Sequence, residues 1–473
     1  MKSAHSSCTT VLVGKKASLH HSTMIARNED FGAAVNPKRF VVIPAHAKAQ
    51  HYRSKGNDFQ IDLPENALRY TATPDADPQY GDFAEDGINS ENVAMSASES
   101  AFSNRRVLAV DPLVANGIAE DAMVSVVLPF IHSAKEGVER LGAIIEKYGT
   151  AETNGVAFSD ADEVWYLETA GGHHWAAQRI PDGQYAVVAN QLSIQEIDFN
   201  KPDDFLTATD LKKFVKKNHL NPAKKGFNFR QIFGTHDESD RHYNTPRVWY
   251  GHNLFSPAEP ENDPFSEQMA FTRTPDQKLG ADDVKTVLSS HYQDTPYDPY
   301  GHGTAVQKKQ FRPIGLDRNQ EMHVLEIRSD LPAEFAAIHW LALGVNVYNT
   351  MVPFYANCED TPDNYRNTTA HVNINNMYWL NRTIGVLAEA HYAASQTLIT
   401  DYQQDTFETL SRSIQQTDLA VTKVAKKEVT GFLTAQNAQT ASAATQKTRA
   451  LFADLVRLAN NHMTLHFNGN EDL

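Results

Sequence analysis

A cysteine near the start of the chain, Cys8, has a position that suits a catalytic residue better than a structural one. Cys8 opens an apolar run, 9–13, and a second run after a turn ends in Arg27-Asn28-Glu29-Asp30. If residues 1–7 were removed, Cys8 would become N-terminal, and one residue would carry both a thiol nucleophile and a free α-amine as its base. This pattern indicates acyl transfer at Cys8. A buried cysteine in a first strand would have the same spacing.

Acyl transfer makes further demands on the residues around Cys8. A thiol attacks as the thiolate, so its ordinary pKa of about 8.5 must fall or a base must stand nearby. An α-amine titrates near pH ~8, so a modest lowering of its pKa makes it a neutral base at pH 7. Arg27 could stabilise the thiolate and Asp30 could hold the amine. Spacing alone does not decide between this chemistry and a structural thiol.

Motifs of several other enzyme classes are missing from the sequence. It contains no His-Glu-x-x-His, Cys-x-x-Cys, Gly-x-Ser-x-Gly, phosphate-binding loop or dinucleotide glycine fingerprint. Adjacent histidines on a strand point to opposite faces and make a poor chelate, so we expect no metal site and no cofactor. The histidines considered as ligands are His20-His21, His173-His174, His236 and His302.

Composition limits the partners and the compartment. The chain has 473 residues, 41% of them hydrophobic, and a net charge of −15, which repels phosphate-rich partners and anionic membranes. We therefore expect no nucleic acid and no membrane partner. Two cysteines fit a reducing compartment, and residues 1–7 lack the apolar region of a secretory signal, so the cytoplasm is expected. A homo-oligomer is left open.

Short apolar or alternating runs predict a strand-rich first half with two helices. Residues 50–92 are polar and contain three prolines, which predicts a long loop region. Two helices are predicted within 119–148, the second from a capping box at Ser133 and Glu136 to a stop at Gly149. The predicted strands are 9–13, 23–27, 40–44, 93–97, 164–168, 175–180 and 185–189, and a hairpin turns at Gly171-Gly172.

The second half of the sequence predicts loops, then strands, then helices. Residues 200–320 are predicted to be loop-rich, and strands return at 323–327 and 341–352. Long helices follow Tyr378, among them 384–399 and 448–458. The sequence thus predicts one large α+β core with long loops and a helical C-terminal region.

Several of these segments together resemble the bacterial dipeptidase A family. That family belongs to the N-terminal nucleophile hydrolases and is related to secernins, penicillin V acylases and bile salt hydrolases. The similarity covers most of the chain. It is carried by Cys8-Thr9-Thr10, Ala26-Arg27-Asn28-Glu29-Asp30, Asp86-Gly87-Ile88-Asn89, and the segments 93–97, 167–176, 189–191, 300–304 and 352–356.

The resemblance implies a fold and a domain organisation. The family fold is a four-layer αββα sandwich, expected here with long loops. A short leader, 1–7, would be removed, and 8–473 would form a single catalytic domain whose part at about 376–465 is rich in helices.

The resemblance also implies the site residues. Cys8 would be the nucleophile, Arg27 and Asp30 its Arg-x-x-Asp partners, and Asn190 the side-chain donor to the oxyanion. A further arginine is expected at Arg247, with Arg241 close by as the alternative. Where bile salt hydrolases carry an asparagine, this sequence has Ser98-Glu99-Ser100. A backbone N–H would then serve as second oxyanion donor, and Glu99 or Asp30 could meet a substrate ammonium.

The function implied by the resemblance is that of a metal-independent cysteine dipeptidase of broad sequence preference acting through an acyl-thioester. Dipeptides are the expected substrates. Two alternatives share the fold: an N-acyl amide hydrolase, which would use the same chemistry, and a non-catalytic, secernin-like interaction protein, which would need no processing at Cys8.

Overall fold

The computed structural model describes residues 8–32 and 35–463, and these fold into a mixed α and β structure. The strands are β1 (Thr9–Val13), β2 (Ser22–Asp30), β3 (Val41–Ile43), β4 (Gln50–Arg53), β5 (Gln60–Leu63), β6 (Tyr70–Ala72), β7 (Asp86–Ile88), β8 (Ala94–Ala101), β9 (Thr153–Ser159), β10 (Val164–Ala170), β11 (His174–Ile180), β12 (Tyr185–Val188), β13 (Phe205–Thr207), β14 (Thr272–Arg273), β15 (Asn319–Arg328), β16 (Ala337–Leu343) and β17 (Val352–Tyr355).

The helices are short in the first two thirds of the chain and longest at its C-terminal end. They are α1 (Arg105–Leu108), α2 (Glu120–Val127), α3 (Ala134–Tyr148), α4 (Leu211–Lys217), α5 (Phe229–Phe233), α6 (Thr245–Phe255), α7 (Ala281–Leu288), α8 (Asp363–Arg366), α9 (Met377–Ala390), α10 (Tyr392–Val421) and α11 (Val429–Asn461). A π-helical turn, Asp240–Asn244, leads directly into α6. No described helix combines the length and apolarity that a membrane crossing requires.

The first sheet brings the start of the chain to its centre. Its strand order is β14-β12-β1-β2-β15-β16-β17, and neighbouring strands run antiparallel. On β1, Thr10 pairs with Val188 of β12 on one side and with Arg27 of β2 on the other. Because the strands are antiparallel, the start of β1, the end of β2 and the end of β12 meet at one edge of the sheet.

The second sheet faces the first and closes a core between them. Its order is β13-β11-β10-β9-β8-β7, and β2 of the first sheet packs against β8, β9 and β10. Leu12 and Ile25 belong to the same buried apolar cluster as Met95, Val156 and Leu167 of the second sheet. Every residue of β1 and β2 is buried. Burial on both faces explains why β1 and the first part of β2 show no alternation of apolar and polar residues.

Helices cover the outer faces of both sheets. On the second sheet, α3 packs against β9, β10 and β11 through an apolar face that includes Val138, Leu141 and Ile145. On the first sheet, α6 packs against β12, and α7 packs against β1, β2 and β15. Helices α9, α10 and α11 pack against β16 and β17 and against one another.

Several local predictions are confirmed. The hairpin of β10 and β11 turns at Gly171, whose φ of 67° lies in the left-handed region that glycine adopts most easily. Helix α3 begins after Ser133, whose side chain accepts from the Glu136 N–H, and ends at Gly149. The Glu136 carboxylate accepts from His132 N–H rather than from Ser133, so the capping box is only half of the standard form.

Other predictions were wrong. Residues 50–92, predicted as a loop, contain β4, β5, β6 and β7, whereas residues 200–320 are loop-rich as predicted, with α4 to α7 between the loops. The strands β4 to β7 have only three or four residues each, so they lack a long apolar period. The predicted strand 341–352 is interrupted at Gly344, with a φ of 87°, and the predicted helix 384–399 divides at His391 between α9 and α10.

Candidate active site

The thiol of Cys8 lies beside a guanidinium. Cys8 is fully buried immediately before β1, and Arg27 on β2 donates from Nη1 to its Sγ over 3.1 Å. The β1–β2 register, with Thr10 opposite Arg27, brings the start of β1 beside the arginine. A positive charge at this distance favours the ionised form of a thiol.

Buried carboxylates hold Arg27 in place. Its Nη2 donates to the Glu85 carboxylate and to the carbonyl of Ala97, and its Nη1 lies 3.8 Å from Oε1 of Glu120. Burial alone would lower the pKa of Arg27, but the charges of Cys8, Glu85 and Glu120 outweigh it and raise that pKa well above the ordinary value. Arg27 is therefore a fixed positive charge at the thiol.

A buried lysine extends this network beneath the site. Lys38 Nζ is fully buried and lies 2.9 Å from Glu29, 2.7 Å from Asp75 and 3.7 Å from Glu85. Burial tends to lower the pKa of Lys38, but Asp75 and Glu29 raise it well above its usual value. Glu85 thus joins two buried cations, one of which contacts Cys8.

Asn190 lies two residues after β12, the strand that pairs with β1 on the side opposite β2. Its side-chain Oδ1 accepts from Arg247 Nη2 over 2.7 Å, and Asn190 is 3% exposed. Because an arginine can only donate, this contact assigns Oδ1 to the Arg247 side and leaves Nδ2 as the donor end of the amide. The role of this amide at an oxyanion stays a prediction.

Arg247 on α6 ties together Asn190 and Cys8. Its Nη1 donates to the Cys8 carbonyl over 2.5 Å and to Thr9 Oγ1 over 2.8 Å. The π-helical turn before α6 supplies Asn244, whose Oδ1 accepts from Arg247 Nη2 over 2.7 Å. Arg241, the alternative, has a half-exposed side chain 3.5 Å from Glu238. Of the two arginines, Arg247 is the one that contacts Cys8.

Asp30 ends β2 at the same edge of the sheet. Its carboxylate accepts from Arg312 and, over 3.3 Å, from Asn319 Nδ2. Burial lowers the pKa of Arg312, but Asp30 more than compensates and raises it. The guanidinium carbons of Arg312 and Arg247 each lie 5.5 Å from the ring centre of Tyr243. Asp30 is therefore linked to the Cys8 edge through Arg312 and Tyr243, and its role at the amine stays a prediction.

Glu168 of β10 fixes the segment that follows Asn190. Its carboxylate accepts from the N–H groups of Ser193 over 2.5 Å and Ile194 over 3.1 Å, and it is 1% exposed. Burial raises the pKa of Glu168 to about 8, against the lowering effect of those two bonds. The acid is thus neutral in the folded protein over much of the pH range in which an unfolded chain would ionise it.

Replacing Glu168 with glutamine should change stability in a pH-dependent way. A carboxyl group whose pKa is raised by folding stabilises the protein fully below its unfolded value, and this contribution is lost as pH rises towards about 8. The free energy of unfolding of wild type, relative to Glu168→Gln, should fall by up to about 1.4 kcal/mol per pH unit between pH ~4.5 and ~8. Urea unfolding of both proteins at pH 5 and pH 8 measures this. If the stability of wild type relative to Glu168→Gln rose between pH 5 and pH 8, the prediction would be wrong.

The sequence did not reveal several residues of the site. Glu85, Glu120, Tyr243, Asn244 and Arg312 come from separate segments, and no local spacing relates them to Cys8. Two weak signals were available. Glu85 immediately precedes β7, and Asn244 lies three residues before Arg247.

A buried cluster beside the Arg27 network, with His323 of β15 opposite Arg27 of β2, has the residue types of a metal site. In the described part of the chain, Asp86, Glu321 and His323 place their ligand atoms within 4.8 Å of one another. His323 Nδ1 lies 3.2 Å from Asp86 and 2.9 Å from Glu321, and His339 Nε2 lies 3.0 Å from Asp86. Burial lowers the pKa of His323 to about 4. None of the histidines considered from the sequence belongs to this cluster.

The adjacent histidines His173 and His174 were expected to point to opposite faces of a strand, and they do not. The Nδ1 atoms of both rings contact Asp111, at 3.0 and 2.6 Å. The reason is that His173 lies in the hairpin turn and only His174 lies on β11. His174 Nε2 also lies 3.1 Å from Asp210, so the pair binds carboxylates.

Two sequence-based predictions fall outside the described part of the chain. The leader 1–7, and with it the Ser7–Cys8 bond, lies outside the described residues, as do the side chains of 98–100 that include Glu99.

Comparison with known proteins agrees with the resemblance seen in the sequence. The model of Peptidase family C69 matches residues 7–405. A probable dipeptidase of Latilactobacillus sakei is 47% identical over 452 residues, covering 95% of both chains. A probable dipeptidase A of Streptococcus pyogenes serotype M18 is 49% identical over 404 residues, 85% of both chains. Dipeptidase A of Lactobacillus helveticus is 43% identical over 467 residues, 97% of this chain and 98% of the relative. With a family model matching most of its length and relatives of this identity, the chain belongs to peptidase family C69.

Proposed function

We propose that this protein is a dipeptidase in which Cys8, freed as the N-terminal residue, is the nucleophile. Support comes from the family, from relatives named dipeptidase along nearly the whole chain, and from the site geometry. The observation that carries the proposal is the 3.1 Å contact between Arg27 Nη1 and Cys8 Sγ, with Arg247 bonded to the carbonyl of the same residue. One cation is placed to stabilise the thiolate, and the other fixes the backbone that carries it.

Maturation uses the same thiol. Cys8 Sγ attacks the carbonyl carbon of Ser7, the Ser7–Cys8 amide bond breaks, and the Cys8 nitrogen takes a proton to become the amine. Water then hydrolyses the resulting thioester, releasing 1–7 with a carboxylate at Ser7 and restoring the thiol. The first turnover of the nucleophile thereby creates the base that later turnovers need.

Dipeptide hydrolysis then follows in two steps. The Cys8 amine takes the thiol proton, Sγ bonds to the substrate carbonyl carbon, and the oxygen becomes an oxyanion. The carbon–nitrogen bond breaks, the departing amino acid takes the proton from the Cys8 ammonium, and an acyl-thioester remains. Water, deprotonated by the same amine, attacks the thioester and releases the second amino acid. Arg27 stays charged throughout, as its raised pKa requires.

Replacing Asn190 with alanine should lower kcat by about 100-fold to 1,000-fold and change KM little. Loss of one donor to the oxyanion has an effect of this size, because the bond is strongest in the transition state. Steady-state kinetics of dipeptide hydrolysis measure it. Asn190→Asp, which keeps the size but not the donor, should lose at least as much. Variants that alkylate at Cys8 as wild type does but retain kcat within three-fold would contradict the role of Asn190.

A substrate panel tests the activity itself. Purified enzyme beginning at Cys8 should hydrolyse a range of unmodified dipeptides, with both free amino acids detected by chromatography, and act much more slowly on N-acyl amides. The proposed chemistry uses only side chains and the α-amine, so incubation with EDTA should leave the rate unchanged. Faster cleavage of N-acyl amides would indicate an acylase instead, and loss of activity to EDTA with recovery on adding zinc would contradict the mechanism.

The finer architecture fits this assignment. Two facing sheets with helices on both outer faces support a four-layer αββα sandwich, which would make 8–473 one catalytic domain with α9 to α11 as its helix-rich part. The sparse cysteines support a cytoplasmic location, where both thiols stay reduced.

A further inference from the structure

The carboxylates around Cys8 outnumber the cations. Four carboxylates, those of Glu29, Asp75, Glu85 and Glu120, surround two cations, Arg27 and Lys38. Burial, together with neighbouring acids, raises the pKa of Glu120 well above its ordinary value. The two cations therefore do not balance the four acids, and a further positive charge would allow another carboxylate to ionise.

Most of these acids are already bound by cations. Lys38 holds Glu29 and Asp75, and Arg27 holds Glu85. Glu120 differs, because its carboxylate lies 3.8 Å from Arg27, beyond hydrogen-bond distance. It is also the most accessible of the acids at Arg27: its side chain is 12% exposed, against 2% for Glu85.

Two acids that could compete for a ligand are occupied in other ways. Asp30, which the sequence suggested for a substrate ammonium, accepts from Arg312 and Asn319. Glu152 Oε1 accepts from the backbone N–H of Glu120 over 2.8 Å. Glu120 begins α2, so its backbone is fixed by the helix while its side chain points towards Arg27.

The distance from Glu120 to the nucleophile suits the amine of a dipeptide. Arg27 Nη1 lies 3.1 Å from Sγ and 3.8 Å from Glu120 Oε1, so this oxygen is within about 7 Å of the sulfur. A carbonyl carbon poised for attack stands about 3.3 Å from the sulfur, and the ammonium nitrogen is two bonds, about 2.5 Å, beyond that carbon. A charge-assisted hydrogen bond adds about 2.8 Å. These three lengths together exceed the distance of about 7 Å between Sγ and Glu120 Oε1, so a bent substrate can contact both atoms.

We infer that Glu120 binds the α-ammonium of the substrate and so makes the enzyme specific for peptides with a free N-terminus. This inference rests on the proposed function. The ammonium supplies a further positive charge beside Glu120, and it fixes the first carbonyl carbon of the substrate at Sγ. A peptide extended or acylated at its amine would bring a neutral amide to an acid that needs a cation, and it would be rejected.

The test compares a dipeptide with its N-acetylated form. Alanyl-alanine and N-acetyl-alanyl-alanine are assayed with wild type, Glu120→Gln and Glu152→Gln, each beginning at Cys8. Wild type should prefer the free dipeptide strongly in kcat/KM. In Glu120→Gln the value for the free dipeptide should fall about 100-fold, the preference for the free amine should collapse, and the loss should lie mainly in KM. Glu152→Gln removes a neighbouring acid but not the proposed contact, and it should keep the wild-type preference within three-fold.

Folding and chemistry are checked separately from recognition. The rate at which iodoacetamide alkylates Cys8 shows whether the site of each variant is intact. Should Glu120→Gln fail to fold, Glu120→Asp keeps the charge with a shorter reach and should lower kcat/KM less while keeping the preference.

The outcomes separate the inference from the proposed function. A wild-type enzyme that cleaves neither substrate would overturn the dipeptidase assignment. A wild-type enzyme that cleaves both equally well, a folded Glu120→Gln that keeps its preference, or a Glu152→Gln that loses it to the same extent would overturn the role of Glu120 alone.

Discussion

Replacing Cys8 with alanine should lower kcat/KM for dipeptides by at least about 10,000-fold without unfolding the protein. Loss of the nucleophile removes the acyl-thioester route altogether and leaves only substrate binding and the oxyanion donor. The variant should also retain residues 1–7, because the same thiol makes the first cut. Steady-state kinetics and an intact-protein mass measure the two effects together.

The second cysteine provides a matched control. Cys358 is buried, and burial raises its pKa to about 12, so its thiol stays protonated at neutral pH and is a poor nucleophile. Cys358→Ala should therefore keep kcat/KM within about two-fold, apart from a small loss of stability from the cavity. Full activity in Cys8→Ala, or its loss in a folded Cys358→Ala, would overturn the assignment of the nucleophile.

Replacing Arg27 with methionine should impair both stability and catalysis. The buried carboxylate of Glu85 would lose its guanidinium partner, and removing one member of a buried ion pair destabilises a protein by about 3–5 kcal/mol. The thiolate would lose the guanidinium 3.1 Å from Sγ, so kcat/KM should fall by about 100-fold or more, and the pH at which Cys8 is alkylated should rise. Urea unfolding and the pH dependence of iodoacetamide labelling measure these effects.

Arg179 is a suitable comparison for Arg27. It forms ion pairs with Glu163 and Asp182, but its side chain is 26% exposed and it lies on β11, away from Cys8. Arg179→Met should lower the free energy of unfolding by about 1 kcal/mol or less and leave the labelling profile unchanged. An Arg27→Met protein as stable and as reactive as Arg179→Met would show that the buried network does not support the thiol.

The features predicted well from the sequence are those that depend on neighbouring residues. The apolar runs of β1 and β2, the glycine turn at Gly171 and the cap at Ser133 are local patterns, and each is present in the structure. Residues 50–92 were misread because β4 and β5 are short and place polar side chains at their exposed positions, a pattern that resembles a loop.

The supporting residues of the site depend on pairings between distant segments. Arg27 and Glu85 are separated by 58 positions, and Asp30 and Arg312 by 282. Glu85 and Arg312 lie in segments that precede β7 and β15, and no local period relates these segments to β2. Residue types suggested Cys8, Arg27 and Asp30, and the family resemblance added Asn190 and Arg247. Neither indicated the carboxylates that hold Arg27 or the ring of Tyr243 between Arg247 and Arg312.

The mass of the N-terminal peptide of fully active enzyme shows whether Cys8 is the N-terminal residue, which the mechanism requires because it needs the α-amine of Cys8 to be free. Preparations with full dipeptidase activity should begin at Cys8, and activity should rise in proportion to the fraction of chains cleaved between Ser7 and Cys8. Full activity from chains that still carry residues 1–7 would contradict this mechanism.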